Sequence, residues 1–148
     1  MLKLKYLLLL PLLLASALAQ AEPLNGDGDT RAVAMYREAM AMLLGRNETP
    51  RSPEKAAQLF LTLAQQNWIP AQHMLGNLYL KGRGVKQDDL QAYQWLSLAS
   101  RNNPRLADTL AGKRNQLRAR LNGAQRQQAD AWVAAWQPKS GLAMTSMN

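Results

Sequence analysis

Residues 82–84, Gly-Arg-Gly, are the stretch that most resembles a phosphate-binding loop. Such a loop follows a strand, opens a helix and presents backbone N–H groups to an anion. Here the preceding apolar residues have helical spacing, and Lys86 is not followed by Ser or Thr. The pattern therefore predicts a turn in which Gly82 ends one helix in the left-handed conformation and Asp88 caps the next.

Residues suited to catalysis are few. His73 is the single histidine and the chain contains no cysteine, so composition excludes a multi-histidine or thiolate zinc site. A catalytic triad would have to use His73, and no serine motif surrounds it. Asp88 and Asp89 are adjacent, which is typical of a helix start rather than of two carboxyl groups held apart for acid–base work. We therefore expect neither an enzyme nor a cofactor, with His73 a packing residue near a groove.

The spacing Asn25-x-Asp27-x-Asp29 resembles the start of a calcium loop. That loop needs glycine in the next place and an acidic ligand at its twelfth position. Thr30 and Tyr36 stand in those places, so we expect no metal site and interpret residues 20–30 as a flexible linker.

Nearly all of the remaining sequence has the apolar period of helices, and strand-like alternation is absent. Capping residues and N-terminal prolines mark most of the helix starts. The predicted starts, as first residue or cap, are Arg31, Ser52–Pro53, Pro70, Asp88, Pro104 and Asn122.

The second and fourth predicted helices repeat each other at a fixed interval. A period in this range indicates stacked helix pairs, in which no single unit buries its own apolar face. The matching residues, each 35 positions apart, are Ala57 and Ala92, Phe60 and Trp95, Leu61 and Leu96, Leu63 and Leu98, Ala64 and Ala99, and Asn67 and Asn102.

The spacing within residues 69–103 is similar to that of the Sel-one-like repeat, a relative of the tetratricopeptide repeat. Residues 31–68 match that repeat in their second helix but lack its Gly-x-Gly turn, and residues 104–137 resemble the helical end-piece often found after such repeats in exported bacterial proteins. The matching positions of the well-matched unit, which we expect to be structural, are Ala71, Leu75, Gly76, Tyr79, Gly82, Gly84, Val85, Asp88, Ala92, Trp95 and Ala99.

The resemblance implies an all-α fold, a short α-solenoid of antiparallel helix pairs in a tetratricopeptide-like superhelix with a C-terminal capping helix pair. In that family the glycine at the place of Gly76 lets the two helices of a pair approach closely. Members generally serve as adaptors or assembly factors, several in the bacterial envelope. The resemblance thus implies a protein-interaction module that binds a peptide or protein segment on its concave face.

Aromatic side chains are the stronger candidates for partner recognition because tryptophan and tyrosine dominate interface energetics. Two interpretations stay open for Tyr79, Tyr93, Trp95, Trp132 and Trp136: they line a peptide groove, or they belong to the core, with the last two sealing the open end of the stack. The candidate partner-binding residues, expected to be exposed along the groove, are Tyr36, Met40, Gln72, His73 and Tyr93.

Basic residues are concentrated in the C-terminal third of a chain whose formal net charge is +8. An ordinary solvated face is one interpretation. The other is a surface that contacts anionic polysaccharide or lipid head groups. Its candidate contacts are Arg114, Arg118 and Arg120, and nucleic acid is not an expected partner because an exported protein rarely meets it.

The first 19 residues have the pattern of a secretory signal peptide, with Lys3 and Lys5, an apolar core, and Ala17-x-Ala19. The apolar run over residues 6–19 is shorter than the roughly 20 residues of a membrane span. Cleavage after Ala19 predicts a periplasmic or secreted chain of net charge +6, because both lysines are lost. We also expect a disordered tail over residues 138–148. Three helix pairs are near the minimum for a stable stack, so we expect a marginal monomer stabilised either by its partner or by weak self-association.

Overall fold

The computed structural model describes residues 27–139, which form α-helices and no strand. The six helices, in chain order, are α1 (Asp27–Leu44), α2 (Pro53–Gln65), α3 (Ile69–Lys81), α4 (Asp89–Asn102), α5 (Pro104–Arg120) and α6 (Gly123–Ala135). The predicted all-α class is confirmed. The predicted signal peptide and most of the predicted tail lie outside the described residues.

The first helix begins earlier than predicted. Residues 27–30, assigned from sequence to the linker, form the first turn of α1. Gly and Asp in this stretch suggested an irregular segment, whereas the backbone of residues 27–30 is helical. Helix α1 therefore starts four residues before the predicted Arg31, and the rest of the predicted linker, residues 20–26, lies outside the described residues.

Local capping sets most of the other helix starts. The Asp88 side chain accepts a hydrogen bond from the backbone N–H of Gln91 at 2.9 Å. Asn122 and Gln125 form a reciprocal capping box at the start of α6. Ser52 is the N-cap of α2 as predicted, but its side chain makes no capping hydrogen bond, so the start of α2 depends on Pro53.

The Gly-Arg-Gly segment is a turn, and it joins the second helix pair to the first. Gly82 has φ +61° and ends α3 in the left-handed conformation. Gly84 has φ +72°, and a Cβ there would lie 2.1 Å from the carbonyl oxygen of Pro53. Between the glycines, the Arg83 guanidinium donates to the carbonyl oxygen of Leu43, near the end of α1, at 2.6 Å. The segment therefore fixes the first turn of α2 and the last turn of α1 against α3.

Helix α4 lies at the centre of the molecule. It packs against α3, α5 and α6, and its residues 92–100 are all buried. Its approach to α3 depends on Gly76, where a Cβ would lie 2.6 Å from Cγ of Leu96. One apolar cluster contains buried residues of α1, α2, α3 and α4, and a second contains buried residues of α4, α5 and α6. Both C-terminal helices therefore pack on α4 rather than chiefly on each other.

A buried amide network joins the ends of α2 and α4. The repeat-equivalent residues Asn67 and Asn102 are in contact, with Nδ2 of Asn102 donating to Oδ1 of Asn67 at 2.9 Å. Nε2 of Gln72 donates to the same oxygen and to the carbonyl oxygen of Ala64, each at 3.2 Å. The predicted exposure of Gln72 is wrong: it is fully buried because its amide satisfies a helix-end carbonyl.

Replacing Gly76 with alanine should destabilise the protein by about 1–3 kcal/mol, because the new methyl group overpacks the α3–α4 contact. Chemical denaturation followed by circular dichroism measures the change. The matched control is Gly112→Ala in α5, where a Cβ meets nothing within 4 Å. That variant should be stabilised by about 0.5–1 kcal/mol, since alanine is the better helix former. Equal destabilisation of both variants would contradict the proposed role of Gly76.

Candidate functional site

A cavity of about 490 Å³ lies where α6 crosses α2, α3 and α4; we call it the aromatic cavity. Its volume falls within the range of ligand-binding pockets. The lining is mainly aromatic and amide, and it contains no carboxylate, imidazole or hydroxyl other than the phenol of tyrosine. The lining residues are Leu61, Gln65, Tyr79, Gln91, Trp95, Trp132, Ala135, Trp136, Gln137 and Lys139.

Trp95 is the central aromatic residue of this cavity. Its ring packs edge-to-face against Trp132, with centroids 5.1 Å apart and planes at 73°. Trp95 is only 4% exposed, yet its Nε1–H is buried without an acceptor. Buried indole N–H groups usually have a hydrogen-bond partner, because leaving one unpaired costs free energy. The unpaired N–H lies beneath the surface of the cavity wall, because its nitrogen is buried.

Helix α6 and the residues after it close the cavity. The buried Ala129 sets the face of α6 that packs inward, and Trp132 and Trp136 follow at helical spacing. Beyond the helix, the backbone N–H of Lys139 donates to the carbonyl oxygen of Gln65 at 2.9 Å. This bond holds the chain after α6 against the end of α2.

Four of the five aromatic residues singled out from the sequence meet in this one cavity. Both sequence interpretations apply, because Trp95 and Tyr79 pack in the core and also line the cavity. Tyr93, the fifth, lies elsewhere, because α5 and α6 cover it; it is 5% exposed. Its hydroxyl accepts from Arg118 at 2.8 Å and donates to Asp130 at 3.3 Å. The predicted exposure of Tyr93 is therefore wrong.

The other three predicted partner-binding residues, Tyr36, Met40 and His73, are partly exposed on α1 and α3, and their place in a binding surface stays a prediction. Tyr36 packs edge-to-face on Phe60 at 5.4 Å, and burial raises the pKa of its phenol. Met40 is partly buried against the first apolar cluster. His73 is partly exposed on α3. The sequence indicated which residues are aromatic or polar at these positions, but not which of them the later helices would cover.

The three predicted anion-contact residues differ in their partners. Arg118 pairs with Asp130 at 3.0 Å, and Arg120 pairs with Asp89 at 3.3 Å. Within residues 27–139, Arg114 has no carboxylate partner; its Nε donates to Oγ of Ser97 at 3.3 Å. The signal that sequence reasoning missed is the pairing of an α5 arginine with an acidic residue of α4 or α6.

The lining of the aromatic cavity contains no acid–base pair and no nucleophile beside a base. Across residues 27–139 no cluster of three or more acidic or histidine side chains could hold a metal ion. In the same range no helix has the length and apolarity needed to cross a membrane.

Comparison with known proteins matches these two helix pairs to a family. The model described as Sel1 repeat matches residues 32–68 and residues 69–104, which contain α1–α2 and α3–α4. A protective antigen present in uropathogenic Escherichia coli strains, whose crystal structure displays an SLR fold, is 28% identical with a TM-score of 0.62. The match covers 79% of this chain but only 27% of that protein. No curated protein matches the chain.

The pKa of His73 should lie below its ordinary value of 6.5, because burial disfavours the charged imidazole and Lys113 repels it. The unfolded chain then binds the proton more tightly, so stability is complete above about pH 6.5 and falls as pH drops toward the folded-state pKa. NMR titration of the single histidine measures this value directly. Lys113→Met should raise the pKa of His73, and Lys55→Met, which removes an exposed charge from α2, should not.

Proposed function

Because this chain is a Sel1 repeat protein with two consecutive repeats, we propose that it is a non-catalytic interaction module that binds a segment of another protein. The aromatic cavity is the proposed recognition site. The Sel1 repeat and the SLR fold support the interaction role in general. The cavity supports the choice of site, because four aromatic side chains line it.

The observation that carries the proposal is that four aromatic side chains line one cavity: Tyr79, Trp95, Trp132 and Trp136. A peptide can supply an apolar side chain to fill the space between these rings. Burying apolar surface contributes about 25 cal/mol per Å². Tryptophan and tyrosine are enriched among the few residues that supply most of the affinity at protein interfaces.

The rim of the cavity favours an extended segment. Gln65, Gln91 and Gln137 provide amide groups that donate and accept, which suits a peptide backbone. Lys139 adds one positive charge at the rim. A partner segment with an apolar side chain and a nearby carboxylate therefore fits the cavity best.

Binding of anionic polysaccharide or lipid head groups along Arg114, Arg118 and Arg120 is the less favoured function. Two of these arginines already pair with carboxylates. Such a polymer has to compete with both ion pairs, so this surface offers less free charge than the sequence indicated.

Export remains part of the proposal, and it rests on the N-terminal sequence alone. Residues 1–19 have the three parts of a signal peptide, so the partner belongs to the cell envelope or to the exterior. Mass spectrometry of the protein recovered from the periplasm or culture medium should give an N-terminus at Gln20. Retention of Met1 with the protein in the cytoplasm would contradict export.

The cavity is tested by placing a photo-crosslinking amino acid at Gln91, with Gln116 of α5 as the exposed control position. One partner should be captured from Gln91 and not from Gln116. Trp95→Phe keeps an aromatic ring but removes part of the indole that lines the cavity, so binding of the captured peptide should weaken by about tenfold.

Trp68 supplies the matched control, because its Nε1 is also buried without an acceptor but it does not line the cavity. Trp68→Phe should leave the affinity unchanged. If both Phe variants lose affinity equally, or neither does, the indole of Trp95 does not recognise the partner.

A further inference from the structure

A second cavity, of about 390 Å³, lies between α4, α5 and α6. We call it the arginine cleft. It occupies the opposite side of α4 from the aromatic cavity, since Gln91 and Trp95 line one while Tyr93 and Ser97 line the other. Neither repeat of the family includes α5 or α6, so the cleft depends on the C-terminal third of this chain.

The acidic group in the cleft is already paired. Asp130 receives hydrogen bonds from Arg118 at 3.1 and 3.0 Å, one to each carboxylate oxygen, and from the hydroxyl of Tyr93 at 3.3 Å. Its negative charge is therefore balanced at one end of the cleft. It does not neutralise the arginines at the other end.

Two arginines of the cleft have no counterion. Among residues 27–139, neither Arg101 nor Arg114 has a carboxylate within 4.0 Å. Arg101 is held by a hydrogen bond to the carbonyl of Val133 and by a 3.4 Å bond from its Nε to Asn102, which leaves its second terminal nitrogen unused. The Nε of Arg114 is bonded to Ser97, which leaves both of its terminal nitrogens unused.

Two serines beside these arginines are almost fully buried. Ser97 is 7% exposed and Ser100 is 5% exposed. The Ser100 hydroxyl donates to the carbonyl oxygen of Leu96 at 2.8 Å. Ser97 accepts from Arg114, so its own hydroxyl proton is free to be donated. The cleft thus combines unused guanidinium donors with an unused, buried hydroxyl donor.

We propose that the arginine cleft binds one oxyanion, a carboxylate or phosphate group of a small ligand, between Arg101, Arg114 and Ser97. Guanidinium groups form short, charge-assisted hydrogen bonds with such oxyanions. Both guanidiniums are anchored to neighbouring groups, so little side-chain freedom is lost on binding. Charge-assisted bonds in a partly desolvated cleft are also less screened by salt than those on an open surface.

The test is NMR titration of the purified protein with inorganic phosphate and, separately, with acetate, at constant ionic strength. Resonances of the Arg114 Nε–Hε group and of the Ser97 backbone should shift and saturate. Arg114→Gln should weaken binding by about tenfold or more, and Ser97→Ala should weaken it severalfold without changing the charge.

The matched control is Arg105→Gln, which removes the same charge from an exposed position of α5 that does not line the cleft. It should leave the affinity unchanged. Circular dichroism of each variant verifies that the fold is intact. Because the two cavities lie on opposite sides of α4, Trp95→Phe should not alter anion binding, so this proposal and the aromatic-cavity proposal fail separately.

If the NMR shifts saturate with phosphate and not with acetate, the ligand carries a phosphate group. If they saturate with acetate, whether or not they also saturate with phosphate, the ligand carries a carboxylate group. Either result supports the proposal, provided that Arg114→Gln weakens binding as stated. Shifts that do not saturate overturn it. An equal loss in the Arg105 and Arg114 variants overturns it too, because the effect is then general charge screening.

Discussion

The absent side chain at Gly76 sets the distance between α3 and α4, and the rest of the fold depends on it. Leu96 occupies the space that a Cβ would take. This close approach buries one side of α4, and α5 and α6 then cover the remainder. A helix buried along nine consecutive positions is unusual in so small a protein, because an ordinary surface helix buries a single stripe. The two cavities are the gaps left where α6 meets this central helix.

The parts of the fold that the sequence predicts are those fixed by nearby residues. Gly82 ends α3, Asp88 caps α4 and Asn122 caps α6. Each of these hydrogen bonds joins residues no more than four positions apart, so the sequence pattern alone predicts it. Burial of Gln72 and Tyr93 could not be predicted in the same way. Gln72 is buried by an amide network that reaches residue Asn102, and Tyr93 by helices that follow it in the chain. Helical periodicity identifies an apolar face but not the element that covers it.

In the candidate sites too, the sequence predicts local features but not contacts between distant residues. Composition identified the aromatic residues that form the cavity, and their helical spacing indicated common faces. The sequence could not show that Trp132 meets Trp95, 37 positions earlier, or that the Trp95 N–H would have no acceptor. For the basic residues, counting charges did not show which are paired, since pairing of Arg118 and Arg120 depends on side chains from other helices. Only the distances between guanidinium nitrogens and carboxylate oxygens distinguish the arginines that form ion pairs from those that do not.

The bond from the Lys139 backbone to Gln65 affects how the two repeats are held together. Open helical arrays are held by contacts between neighbouring units alone, because each unit contacts only its neighbours. Here the chain after α6 reaches past the second repeat to the last turn of α2 in the first. Separating the two repeats would therefore break this bond as well as the contacts between α2 and α3.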